Sequence, residues 1–149
     1  MLNAQEHQHP PGAPATVPKP YAPKFFNRAE FSLLAQVTEL IIPRTRTPGA
    51  IDAGVPELID RACSRSRELG ARLREGLGQL GSKGFAGMDE SKQAALLKGV
   101  VDSPFFKAVK DLTIDGYYTS RAGLTRELGW NANTFLSEFK GCTHPEHQG

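Results

Sequence analysis

The sequence predicts an all-α fold: an irregular bundle of about five helices with a disordered Pro-rich N-terminal tail and an extended C-terminal coil. Two observations carry that expectation. Apolar residues between Phe25 and Tyr118 recur at spacings of three and four, which places them on one face of a helix. No run alternates apolar and polar residues as a half-buried strand would.

Residues 1–24 read as a flexible tail, because six of the eleven prolines fall there: Pro10, Pro11, Pro14, Pro18, Pro20 and Pro23. Proline lacks the amide proton that helices and sheets use, and the segment has few apolar side chains to bury. Order is expected to start at Phe25-Phe26. Asn27 can cap a first helix, with Glu30 completing a capping box. Phe31, Leu34, Ala35, Val37, Leu40 and Ile41 give it a face, and Pro43 stops it. Residues 43–54 are a loop rich in Thr, Pro and Gly.

A second helix starts near Val55, with Pro56 in its first turn and Glu57 favourable to the helix dipole. Leu58, Ile59, Ala62 and Cys63 share its face. Ser64 or Ser66 separates it from, or continues it into, a third helix over roughly 66–80, built on Leu69, Leu73, Leu77 and Leu80. Gly70, Gly76 and Gly78 each weaken that helix by roughly 1 kcal/mol relative to alanine. Asp89 caps a fourth helix. Asp102 or Ser103 caps a fifth, with Pro104 at its first position and Phe105, Phe106, Val109, Leu112, Ile114, Tyr117 and Tyr118 as its apolar surface. The helical domain is therefore expected over 25–121. Residues 122–149 read as an extended segment dotted with Trp130, Phe135 and Phe139.

Bulk properties exclude several functions. The 149 residues suit a single core, and a net charge of +2 is too small for long-range attraction to nucleic acid or a membrane surface. No apolar run approaches the ~20 residues that cross a bilayer, so direct membrane insertion is not expected. The N-terminus shows no basic start, twin arginine or apolar core of an export signal. Cytoplasmic residence, a removed signal, or transport on an exported partner would each account for that.

Catalytic groups are thin. All four histidines, His7, His9, His144 and His147, lie in the tails, whereas catalysis needs groups held on a rigid frame. Gly76, Gly78 and Gly81 lack the strand–turn–helix setting of a dinucleotide site. Cys142, His144 and His147 offer thiolate and imidazole ligands for zinc or copper, but a closed site needs four ligands and Pro145 stiffens the run. A solvated C-terminus is the plainer reading. Arg61, Arg65, Arg67, Arg72 and Arg74 could line a phosphate, but Asp60, Glu68 and Glu75 interleave with them and no aromatic residue accompanies them. That pattern favours a solvated face or one meeting an acidic partner. Cys63 and Cys142 can pair with each other, stay free or bond a partner chain. The loop at 43–54 and the aromatic coil both suggest binding to another protein, since binding anchors are often aromatic. An independent helical binding domain and a small metal-binding protein are the competing readings.

Two segments carry a resemblance. Glu39-Leu-Ile-Ile-Pro-Arg-Thr-Arg-Thr-Pro-Gly-Ala-Ile-Asp-Ala-Gly-Val-Pro-Glu-Leu-Ile-Asp60 resembles the N-terminal hallmark of the gluconate 2-dehydrogenase subunit 3 family. Gly116-Tyr-Tyr-Thr-Ser120, Glu127-Leu-Gly-Trp130 and Gly141-Cys-Thr-His-Pro-Glu-His147 resemble its C-terminal half. The resemblance implies a non-catalytic small subunit that assists folding, export or assembly of a large FAD-binding dehydrogenase subunit acting on a sugar or sugar acid. A cytochrome c subunit would take the electrons. It also implies a periplasmic or membrane-associated complex. No catalytic residue and no cofactor transfers to this chain. The expected partner contacts are Arg44, Thr45, Thr47, Pro48, Tyr117, Tyr118, Trp130, Phe135, Phe139 and Cys142. Cys63 is expected in the core, and Cys142 is the candidate for a disulfide to the large subunit.

Overall fold

Helix α1 (Arg28–Ile41) begins where Asn27 and Glu30 cap each other's backbone, the reciprocal box expected from their spacing. The computed structural model describes residues 20–130. Four further helices follow: α2 (Val55–Arg65), α3 (Arg67–Ser82), α4 (Glu90–Lys98) and α5 (Pro104–Thr119). Among the described residues there is no strand, so the all-α expectation holds.

The helix borders follow local chemistry. Ser66 ends α2 in an extended conformation, and its hydroxyl then accepts the Leu69 amide to cap α3, so one residue makes the break between them. Asp89 caps α4, and of the two candidates for α5 it is Ser103 that accepts the Phe106 amide. Two short elements lie outside the expected set: a 3₁₀ turn at Phe85–Gly87, and a π-helical turn at Gly123–Glu127 in the stretch expected as coil. Ser120 breaks the α5 register and its hydroxyl accepts the Gly123 amide, which starts this turn. A side chain at Gly123 would strike the Tyr117 carbonyl at 2.1 Å, so glycine lets the turn fold back on the end of α5.

The core is shared by all the long helices. Leu34 and Val37 of α1, Ile59 and Cys63 of α2, Leu73 and Leu77 of α3, and Val109 and Tyr117 of α5 meet in it, and Phe85 from the 3₁₀ turn closes one end. Two of the α3 glycines, Gly70 and Gly76, are spacers within this packing. A Cβ on Gly76 would lie 2.0 Å from the Phe105 ring, and one on Gly70 would lie 2.3 Å from Phe25. Aromatic rings thus rest directly on the α3 backbone, which offsets the propensity cost of glycine there.

The entry to α1 is tied down from α2. Asp60 is completely buried. Its carboxylate accepts the amides of Lys24 at 2.6 Å, Phe25 at 3.0 Å and Phe26 at 3.0 Å, and the Tyr21 hydroxyl at 2.8 Å. Tyr21 to Lys24, the end of the stretch read as tail, is therefore fastened to the bundle. Burial alone would raise the Asp60 carboxyl, but these hydrogen bonds outweigh it and hold the group below the ordinary carboxylate value. Burial and the bond to Asp60 push the Tyr21 phenol up to about 12.

Candidate functional site

The loop between α1 and α2 is braced around one carboxylate. Glu39, in the last turns of α1, accepts the Arg44 amide on Oε1 and the Ile51 amide on Oε2, both at 2.9 Å. Gly49 fits beneath it: a Cβ there would stand 2.2 Å from Glu39 Oε1 and 2.7 Å from the Arg44 nitrogen. The Ala50 amide donates to the Ile42 carbonyl across the loop neck at 2.9 Å. From the far side the Tyr117 hydroxyl donates to the Pro48 carbonyl at 2.7 Å. A segment rich in Thr, Pro and Gly is thus held at both edges by side chains of α1 and α5.

That frame presents a groove. One depression of about 490 Å³ is lined by Arg44, Thr45, Arg46, Thr47, Pro48, Asp52 and Arg126. A second shares Pro48, Asp52 and Arg126 with it and adds Arg121, Ala122 and Thr125 from the turn after α5. The two adjoin as one shallow, open groove between the loop and the π-helical turn. Arg44 pairs with Asp52, and that hydrogen bond, together with the charge, keeps its guanidinium still more firmly protonated than usual. Among the described residues Arg46, Arg121 and Arg126 make no salt bridge. Chemically the surface offers guanidinium and hydroxyl donors beside one carboxylate.

A family profile described as gluconate 2-dehydrogenase subunit 3 matches residues 28–135, well over half of the chain. The chain belongs to the gluconate 2-dehydrogenase subunit 3 family. The matched span takes in both walls of the groove. No curated protein and no solved structure matches the chain.

Within this family member, the structure brings together Arg44, Thr45, Thr47 and Pro48 of the contacts expected from sequence. Tyr118 and Trp130 are exposed, at 40% and 55%. Tyr117 is placed differently from that expectation. It is 1% exposed, and it supports the loop from inside the core instead of facing outward. The reason is its register: Val109, Thr113, Gly116 and Tyr117 lie on the buried face of α5, while Ile114 and Tyr118 lie on the outer one. Phe135, Phe139, Cys142, His144 and His147 lie outside the described residues. Among the described residues no cluster of three potential metal ligands occurs, and no helix is long and apolar enough to cross a membrane.

Sequence reasoning missed Arg46, Asp52, Arg121, Thr125 and Arg126 as groove residues. Arg46 carried a signal, since it sits between two residues already singled out. Arg121 and Arg126 carried none, because only the fold brings them to a loop some seventy positions earlier in the chain. The arginine-rich stretch of α2 and α3 is largely a solvated face, as expected, but three of its arginines are engaged by neighbouring groups. Arg74 stacks on the Phe25 ring at 4.2 Å, donates to the Phe25 carbonyl and pairs with Glu30, while Arg61 lies over Tyr21. Arg72 pairs with Glu68 one turn away.

Cys63 is buried and has no disulfide partner among the described residues. Burial pushes its thiol up to about 11, with the nearby Asp60 charge adding to the rise and Arg74 opposing it. A thiol held protonated and out of solvent packs as a small apolar side chain and is a poor nucleophile.

Proposed function

We propose that this chain is a non-catalytic accessory subunit of a flavin-dependent dehydrogenase that oxidises a sugar or sugar acid, and that it assists assembly or export of the large subunit. FAD and the catalytic groups belong to that large subunit, and a cytochrome c subunit accepts the electrons. The observation that carries this reading is the family match over residues 28–135. The architecture is consistent with it. Of the α3 glycines that superficially suggest a nucleotide loop, Gly76 is occupied in packing against Phe105. The buried thiol is sequestered, and the most elaborately braced surface feature is a loop that presents side chains outward.

In this reading the loop, Tyr118, Trp130 and the segment beyond it form the contact with the large subunit. Where the complex resides in an oxidising compartment, Cys142 forms a disulfide with it. Affinity purification from the native host through an N-terminal tag tests the assignment. Recovery of a larger, flavin-containing chain is the expected result; recovery of a folded monomer alone would refute it. Electrophoresis of the recovered complex without reductant tests the disulfide, and a small subunit that migrates separately rules that bond out.

A further inference from the structure

The groove between the loop and the turn after α5 has a defined chemistry, and the following step rests on the subunit reading above. Its walls bring four guanidinium groups, Arg44, Arg46, Arg121 and Arg126, around one carboxylate, Asp52. Elsewhere among the described residues Arg72 is answered by Glu68, Arg74 by Glu30 and Phe25 and Arg61 by Tyr21, while Arg28, Arg65 and Arg67 stand apart on exposed helix faces without a salt bridge. In the groove, among the described residues, only Arg44 has a carboxylate partner. A surplus of like charge on one face of a chain whose net charge is only +2 is concentrated there against mutual repulsion. The guanidinium fork matches the two oxygens of a carboxylate, and the hydroxyls of Thr45 and Thr47 add short donors beside the forks.

The arginines of the loop wall also start from a fixed position. Glu39 holds the Arg44 and Ile51 amides, Gly49 lets it approach, and Tyr117 fastens Pro48. Binding therefore does not require ordering of the loop backbone, which removes a main cost of association. Among the described residues no aromatic side chain lines the groove, so these walls offer no stacking platform of the kind single-stranded nucleic acid uses.

We propose that this groove docks a carboxylate-rich segment of the large dehydrogenase subunit, with Arg46, Arg121 and Arg126 as its principal anchors. Arg44, already held by Asp52, fixes one end of the site. The contact is electrostatic, weakens with salt and sets the orientation of the two subunits.

Trp130 is the single tryptophan, half exposed and four residues from Arg126, with its amide bonded to the Leu124 carbonyl. Its emission serves as a local reporter. The test uses the full chain, a triple variant (Arg46→Glu, Arg121→Glu, Arg126→Glu) and a control of the same kind away from the groove (Arg65→Glu, Arg67→Glu). Circular dichroism verifies that each is folded. A short labelled oligoglutamate peptide is titrated against each protein at low and at high salt, beside an oligothymidylate of equal charge.

Oligoglutamate is expected to bind the wild type and the control and to shift Trp130 emission. Its affinity should fall at least about tenfold in the triple variant and at high salt. Equal binding by the triple variant, or tighter binding of oligothymidylate than of oligoglutamate by the wild type, overturns the proposal. The same variants are then compared in co-purification. If the wild type and the triple variant recover the flavin-containing chain equally well, the groove is not the docking site and the subunit reading stands. If the wild type recovers no such chain, the subunit reading falls and this proposal with it.

Discussion

Asp60 shows how one side chain can organise the start of a fold. It lies fully buried in α2, where an uncompensated charge would be costly, and it is compensated by three amides and a phenol from residues 21 to 26. Asp60→Ala leaves those amides without an acceptor and should destabilise the protein by about 3 kcal/mol in urea unfolding. Asp60→Asn keeps one acceptor and should cost less. The pH dependence follows from the direction of the shift. The folded carboxyl titrates below its ordinary value, so its contribution is complete above the unfolded value of about 4 and is lost as the pH falls toward the folded one. Acid unfolding of Asp60→Asn should therefore begin from a lower stability and fall less steeply. Tyr21 behaves in the opposite sense. Its phenol is raised to about 12, so the stability it adds is present below about 10 and is lost as the pH climbs toward 12. A Tyr21→Phe variant should lose that alkaline limb, read by circular dichroism across the same range.

At the level of elements, the glycines of α3 separate two roles that look identical in sequence. Gly76 carries the Phe105 ring, while a Cβ on Gly78 would meet no atom within 4 Å. Gly76→Ala should destabilise the bundle by about 1–3 kcal/mol through overpacking. Gly78→Ala should stabilise it by about 0.5–1 kcal/mol, because the helix favours alanine and nothing is displaced. Thermal unfolding of the pair decides the point, and equal shifts would contradict the contact. The loop at 43–54 makes a similar case. Tyr117→Phe removes only the bond to the Pro48 carbonyl, a loss of about 1 kcal/mol. Amide hydrogen exchange should rise at Thr45 and Ala50 more than in α3, since the bond braces the loop and not the whole bundle.

At the scale of the whole molecule, α1, α2, α3 and α5 contribute to one core, with Phe85 sealing it from the connection between α3 and α4. Unfolding should accordingly be a single transition, with the far-ultraviolet helix signal and the near-ultraviolet signal of Tyr117 and Tyr21 coinciding along a urea gradient. Separate midpoints would show that α4, whose apolar face is slight, leaves the bundle first. The same architecture places the ends of α1 and α5 side by side, and this proximity turns two unremarkable turns into a basic groove.

The helices themselves were legible because their signals are local. Asn27 with Glu30, Ser66, Asp89, and Ser103 with Pro104 each mark a boundary through bonds spanning three residues, and the three-to-four spacing of Leu, Val and Phe marks the face between them. The resemblance that led to the family likewise rests on contiguous runs of residues. What local pattern could not decide is which polar and glycine residues are internal. Asp60 and Tyr117 are separated by 34 to 39 and by 69 positions from the groups they bind, and Gly76 by 29 from the ring it carries. Nor could it place Arg121 and Arg126 opposite Arg44 and Arg46. By itself the sequence determined the all-α class, the family and the borders of α1 and α4, and narrowed those of α3 and α5 to two candidates each; the tertiary structure alone decided the clasp, the packing glycines and the groove, because each depends on side chains that meet only when distant helices pack.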